Sequence, residues 1–444
     1  KDKLPKWVSF AKVRGSWAQV GNDTSPYYIN SGYSVATYQR GDKKIYGMTI
    51  PENMKSTNLK PERKNAWEVG LDWRFFDSRI GVDLTYYKEN TRNQIMTINV
   101  PWESGVKEKL INAGNIQNSG IEIALNTTPI KKKQWQWDLN FTYTRNRNKI
   151  VELSPDVTSY INLDGAANYG NYRIASVAKV GSDYGMLMSD SWIKTDEKTG
   201  KPVVGYTNKF RTVYYKRGGT VKEVGSMLPN FLGSLNSTLR WKDLSLYVLF
   251  DARFGGYVAS YNSRYATAYG FSGETEKYRK GMTWTSKYAN AQDKVFTDGF
   301  IPDVVFDAGT IVTTPGGTNQ DVSGMTYQEA YEKGYVEPAH LQSAAYFKNS
   351  WGTGVINDDW FKKINYIALR EITLSYNVPT KICSYIGAKN LSLSFTGRNL
   401  AYLLNTAPNH ENPESVRGTG AAQFRMRSFM PYTASYLFTL NATF

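Results

Sequence analysis

The sequence predicts an all-β chain that forms the antiparallel wall of a transmembrane β-barrel, with about twelve strands, short turns on one side and long loops on the other. Three observations carry this. The closing segment alternates Tyr432, Ala434, Tyr436, Phe438, Leu440, Ala442 and Phe444 with Thr433, Ser435, Leu437, Thr439, Asn441 and Thr443, so one strand face is apolar and the other almost wholly polar. It has about the length that crosses a tilted bilayer barrel, and it ends on an aromatic residue. Segments of the same design recur along the chain, joined alternately by short turns and long connections.

Composition agrees with a closed barrel. A chain of 444 residues exceeds one ordinary soluble core. It is 41% hydrophobic, with 32 Tyr, 12 Trp and 19 Phe, and its mean hydropathy is −0.49. No stretch approaches the ~18 apolar residues of a membrane helix, whereas a barrel needs only one apolar face per strand. The net charge of +15 raises nucleic-acid binding, but Lys and Arg are spread out and there is no zinc-finger spacing, basic helix or aromatic RNA-binding motif. The charge therefore reads as a solvated basic surface or lumen, and no nucleic-acid partner is expected. A lone cysteine, Cys383, provides no disulfide framework and no cysteine-based metal site, and no cofactor is expected. The start at Lys1, without Met or a secretory core, points to processing or fragmentation.

In chain order, Ala11, Val13, Gly15 and Trp17 alternate with Lys12, Arg14 and Ser16 in a first strand over residues 7–20. Trp67, Val69, Leu71, Trp73 and Phe75 form one strand of a hairpin, and Ile80, Val82, Leu84 and Tyr86 the other, across the turn Phe76-Asp77-Ser78. Hairpins recur at 119–128 with 135–149, and at 231–241 with 244–254 through Lys242-Asp243. Another pairs Ile372, Leu374 and Tyr376 with Leu391, Leu393 and Phe395, and a less regular pair is expected within 186–215. The long connections are then 22–60, 100–115, 152–185, 255–363 and 403–431, all on the extracellular side if the last strand ends in the periplasm. Trp67, Trp73, Trp135, Trp241, Tyr376 and Tyr432 sit at the ends of apolar faces, as girdle aromatics do. The loop of about 255–363 is aromatic enough to argue against disorder, and Thr326–Lys333 reads as a short helix.

Leu59-Lys-Pro-Glu-Arg-Lys-Asn-Ala-Trp-Glu-Val-Gly-Leu-Asp72, Phe75-Phe-Asp-Ser-Arg79, Asp83-Leu-Thr-Tyr-Tyr-Lys88 and Asn112-Ala-Gly-Asn-Ile-Gln-Asn-Ser-Gly-Ile-Glu122 resemble the SusC/RagA-like TonB-dependent outer-membrane transporters of Bacteroidetes. Leu369-Arg-Glu-Ile-Thr-Leu-Ser-Tyr376, Phe395-Thr-Gly-Arg-Asn-Leu400 and the segment Pro431 to Phe444 continue the resemblance over nearly the whole chain. It implies a barrel of roughly 22 strands closed by an N-terminal plug, of which residues 1–444 would be the C-terminal half, with plug, TonB box and N-terminal strands absent. It also implies TonB and a SusD-like surface lipoprotein lid as partners, and outer-membrane lipid around the wall. The function it implies is active nutrient import, of oligosaccharides first and oligopeptides as the alternative, and Phe444 matches the barrel assembly signal. A passive porin is the other alternative.

Candidate substrate contacts are the loop residues Trp284, Trp351, Asp358, Asp359 and Trp360, because aromatic faces stack on sugar CH groups and carboxylates accept from hydroxyls. Their spacing is not that of a calcium loop, and no metal site is expected. Asp72, Arg74, Asp83, Arg240, Asp251, Arg253 and Arg398 fall on the lumen-facing parity, where pairing within the wall or with a plug is the simpler role. No catalytic residue is expected. His340 and His410 lie in predicted loops without an oriented nucleophile and carboxylate, and Gly270-Phe-Ser-Gly273 lacks the nucleophile-elbow spacing. Lys131-Lys-Lys133 reads as a solvated turn and Cys383 as inert.

Overall fold

The computed structural model describes residues 5–56, 58–100, 102–154, 157, 160–163, 174–278, 281–340, 356, 361–417, 420, 423–426 and 431–444. Its main sheet follows a single antiparallel path of ten strands. They are β1 (Val8–Asn22), β2 (Glu62–Phe75), β3 (Ile80–Asn99), β4 (Glu108–Lys131), β5 (Trp135–Glu152), β6 (Phe231–Trp241), β7 (Leu244–Ser260), β8 (Phe361–Asn377), β9 (Asn390–Asn405) and β10 (Ser435–Thr443). Each pairs with its sequence neighbour, as an up-and-down barrel wall requires. Both β1 and β10 pair on one side only, so the sheet is an open part of a barrel.

Register keeps apolar residues together across strands. Trp17 pairs with Trp67; Val69, Tyr86 and Ile121 share a row; and Leu239 pairs with both Trp137 and Leu246. A one-residue slip would turn every such row inward, so the two-faced pattern fixes the pairing. Val13, Trp17, Trp67, Val69, Trp73, Trp135, Trp241, Leu374, Tyr376 and Phe395 are exposed. Hiding a large apolar side chain from water is worth roughly 1.5–3 kcal/mol, so this exposed band is matched to lipid.

Short connections lie at one end: Phe76 to Arg79, Lys132 to Gln134 and Lys242-Asp243, with a short helix, Thr380–Tyr385, between β8 and β9. Phe76, Asp77, Ser78 and Lys242 adopt positive φ there. Cys383 is buried in the short helix, its thiol directed at the Val378 carbonyl.

The buried apolar core lies at the opposite end, where the long connections pack on one another and on strand residues such as Ile98, Ile116, Ile150, Val258 and Ile364. Val204, Val213, Phe306, Val312, Tyr327 and Ala339 form its main cluster. Segments of two connections, 153–230 and 261–360, build it together: Val203–Thr207 pairs in parallel with Val305–Phe306. Tyr327–Glu332 is the expected helix, capped by a reciprocal Thr326 and Glu329 box. Residues 186–215 depart from expectation. They form short strands of small separate sheets, Met186–Ser189, Trp192–Ile193, Val203–Thr207 and Thr212–Tyr215, and account for the wall having ten strands in place of about twelve. Val203, Val204, Leu187 and Val213 are buried, so these strands belong to a core with no lipid face. The connection after β3 is also shorter than expected, because β4 begins at Glu108. The terminal strand covers Ser435–Thr443 within the expected 432–444.

Candidate functional site

Strand alternation turns a second set of residues to the concave face, where polar groups meet across neighbouring strands. Near the short-turn end, Arg14 on β1 reaches over β2 to the Asp83 carboxylate on β3, with Nη1–Oδ2 and Nη2–Oδ1 distances of 3.0 and 2.7 Å. Gly70 makes this crossing possible, since a Cβ there would collide with the Arg14 guanidinium. Asp72, Arg74 and Asp83 line a recess of about 330 Å³ together with Asn126. Asp138 accepts from Arg240, Gln136 and Thr128. Arg398 donates to Glu371 at 2.9 Å.

Neutral rungs separate these pairs. Asn140 donates to Asn236 at 2.7 Å, Thr142 and Ser234 hydroxyls lie 2.6 Å apart, and Ser375 faces Ser394 at 2.8 Å. Thr373 faces Thr396 at 2.9 Å. The concave wall is thus lined with hydroxyls and amides, and its charges are largely compensated inside the wall.

The densest cluster centres on Arg370. A bulge leaves it without a partner between the Leu249–Glu371 and Phe250–Leu369 pairs, which re-aims its side chain. Its guanidinium donates to Asp251 at 2.8 Å and to Glu414 at 2.7 and 2.6 Å. Tyr402 and Tyr366 hydroxyls also donate to Glu414, at 2.8 and 3.3 Å. Burial alone would raise the Glu414 pKa, but the hydrogen bonds from Arg370 and Tyr402 bring it below the usual carboxylate value. Nearby, Glu411 accepts from Ser260 at 2.9 Å, and burial pushes its pKa up to about 6. The cluster fastens the loop after β9 to the wall.

Asp72, Arg74 and Asp83 come together, and Arg240, Asp251 and Arg398 each join a wall ion pair. Arg253 is directed at the Gly255 and Met227 carbonyls. Trp284 stacks on Phe296 at 4.9 Å and donates its indole N–H to Glu337 at 3.1 Å, so its polar edge serves the loop body. His340 packs against the same two rings, and His410 lies in the loop after β9. Trp351, Asp358, Asp359 and Trp360 lie outside the described residues. Phe444 is exposed, and its backbone oxygen accepts from Lys389. Among the described residues no group of three metal-ligating side chains occurs. Sequence reading missed Arg370 and Glu414. The available signal was the shift of apolar parity from Ile367 and Leu369 to Ile372 and Leu374, which marks a bulge.

Residues 3–208 match the family described as TonB dependent receptor-like, beta-barrel. The chain is 24% identical over 400 residues to the TonB-dependent receptor P26 of Formosa agariphila, covering 88% of this chain and 35% of that protein. Over these residues the wall is similar to a TonB-dependent receptor β-barrel. The TonB-dependent receptor SusC of Bacteroides thetaiotaomicron is 28% identical over 207 residues, 44% of this chain and 20% of that protein. In fold, all of the chain superposes on 42% of a chain of the RagAB peptide transporter, with a TM-score of 0.65 at 16% identity. The chain thus spans well under half the length of these relatives. Barrels of this kind reside in the bacterial outer membrane, and the exposed apolar band is the surface that fits there.

Proposed function

We propose that the receptor containing this chain imports a nutrient actively across the outer membrane, with TonB supplying the drive and a SusD-like lipoprotein covering the extracellular mouth. Oligosaccharides are the substrate class we favour. The observation that supports them is the concave wall itself: hydroxyl and amide rungs suit a neutral, polyhydroxylated ligand, and Arg14, Arg240, Arg398 and Arg370 are occupied by acids of the wall or its loop. The missing strands and a plug would come from the rest of the receptor, because an open sheet edge is not viable in a bilayer. Trp284, Trp351, Asp358, Asp359 and Trp360 remain the proposed loop contacts.

An oligopeptide is the second reading, favoured by the likeness to RagAB, whose structure is described as a peptide transporter. The test is purification of the receptor from native membranes, followed by mass spectrometry of bound ligand and partners. Bound oligosaccharide with a SusD-like lipoprotein supports the first reading, and bound peptide supports the second. Steady ion conductance without energy coupling would favour a passive porin over both.

A further inference from the structure

The outward face of the wall changes character abruptly above its aromatic residues. On β2, Trp67 is followed toward the long-loop side by Asn65 and Arg63. On β3, Tyr86 is followed by Lys88, Asn90 and Arg92, and on β5, Tyr143 by Arg145, Arg147 and Lys149. All lie on the lipid-facing parity. Trp67, Lys88, Ser119 and Arg147 form one register row, and Asn65, Asn90, Gln117 and Lys149 the next. Strands lie about 4.8 Å apart, so Lys88 and Arg147 are about 10 Å from each other.

Arg63, Arg92, Arg147 and Lys149 are exposed, Lys88 and Arg145 are half-buried, and none of the six has an ion pair among the described residues. The concave face at the same height is different: there Lys64 pairs with Glu89, which also accepts from Asn118. The first acid on the outward face is Glu152, at the far end of β5 beyond a bulge. Pairing of β5 with β6 stops at Thr144 and Leu232, and beyond that point the strands part around a recess of about 790 Å³. Arg145, Arg147 and Lys149 line it together with Asn146, Asn148 and the single acid Asp183, with Tyr143 and Phe231 below. The two rings are 5.3 Å apart.

Aromatic rings with a polar tip mark the level where acyl chains give way to headgroups. A cationic band immediately above them therefore sits at headgroup height, where Asp183 is one acid against several cations and anions from outside the wall would neutralise the rest. We propose that this band and its recess bind a phosphorylated lipid headgroup of the outer leaflet, with its phosphates on Lys88, Arg145, Arg147 and Lys149 and its acyl chains along the apolar face below. Part of the chain's basic excess is then assigned to the membrane and not to an acidic cargo.

The test reconstitutes the full-length receptor in phosphatidylcholine nanodiscs carrying diphosphorylated lipid A, dephosphorylated lipid A, or neither plus inorganic phosphate. Retained lipid is counted by native mass spectrometry after transfer to detergent. Selective retention of the phosphorylated lipid is expected, weakened about a hundredfold in R145Q/R147Q/K149Q, since each basic residue near an anionic surface contributes roughly fivefold. R240Q, on the concave face, should retain the lipid unchanged, so that the loss follows position and not charge, and the triple variant should keep the heat-modifiable gel mobility of a folded barrel. Equal retention of both lipid forms, an unaltered triple variant, saturation by inorganic phosphate alone, or occupation of the patch by a co-purifying protein would each overturn the proposal.

Discussion

Replacing Arg370 by Met tests whether the cluster around it holds the loop after β9 against the wall. The Arg370 side chain is 20% exposed, while those of Asp251 and Glu414 are 37% and 41% exposed. Removing one partner of a fully buried pair costs ~3–5 kcal/mol, and an exposed pair is worth ~0–1 kcal/mol. With two carboxylates that can partly rehydrate, the expected loss is about 2 kcal/mol, confined to the loop because β7, β8 and β9 keep their ladders. Amide hydrogen exchange of residues 406–417 in the full-length receptor should then accelerate about thirtyfold, while exchange within β7 stays the same. Tyr366 and Tyr402 would lose their cation, and Glu414 would retain only their hydroxyls. A double-mutant cycle between R370M and E414Q should give a coupling of about 1.5 kcal/mol. Unchanged loop exchange, or a coupling below about 0.3 kcal/mol, would refute the assignment.

The other predictions concern single positions. Glu411 holds its proton more tightly in the folded loop than its ordinary value of 4.5, at about 6, so its contribution is fully present below 4.5 and is lost as pH rises through 6. Seating of the loop should therefore weaken by about 1–2 kcal/mol between those values, and E411Q should abolish that pH dependence in the same exchange measurement. G70A should displace Arg14 from Asp83 and cost about 1 kcal/mol in urea unfolding, yet cost almost nothing further in an R14Q background. Leu246→Arg on the outward face should lower barrel stability by about 2–4 kcal/mol in vesicles, whereas Ser245→Arg beside it on the concave face should change it little. Thr326→Ala removes the hydroxyl that accepts from the Glu329 N–H, leaving only the other half of the capping box, and should destabilise the loop body by about 1 kcal/mol, read by thermal unfolding.

Alternation made the wall legible, because a strand between lipid and a wet interior must show opposite chemistry on its two faces. All ten wall strands follow from that one rule, from Ala11 and Trp17 to Phe438 and Leu440. Where the rule has no force, sequence reading failed. Residues 186–215 contain short strands buried in the loop body, so Val203, Val204 and Gly205 need not alternate. The Arg370 cluster escaped notice because its bulge reverses parity, and because Glu414 arrives from a distant loop. Among the loop candidates, the hydrogen bond from Trp284 to Glu337 joins positions too far apart in sequence for composition to suggest it.

The most direct test of the wall is a spin-label scan of single cysteines from 244 to 254, in a Cys383→Ser background of the full-length receptor in lipid vesicles. The account predicts period-two power saturation: positions 244, 246, 248 and 250 reached by oxygen from the lipid, and 245, 247, 249 and 251 reached by a water-soluble nickel chelate. Uniform access of the chelate along the whole strand would contradict a membrane wall.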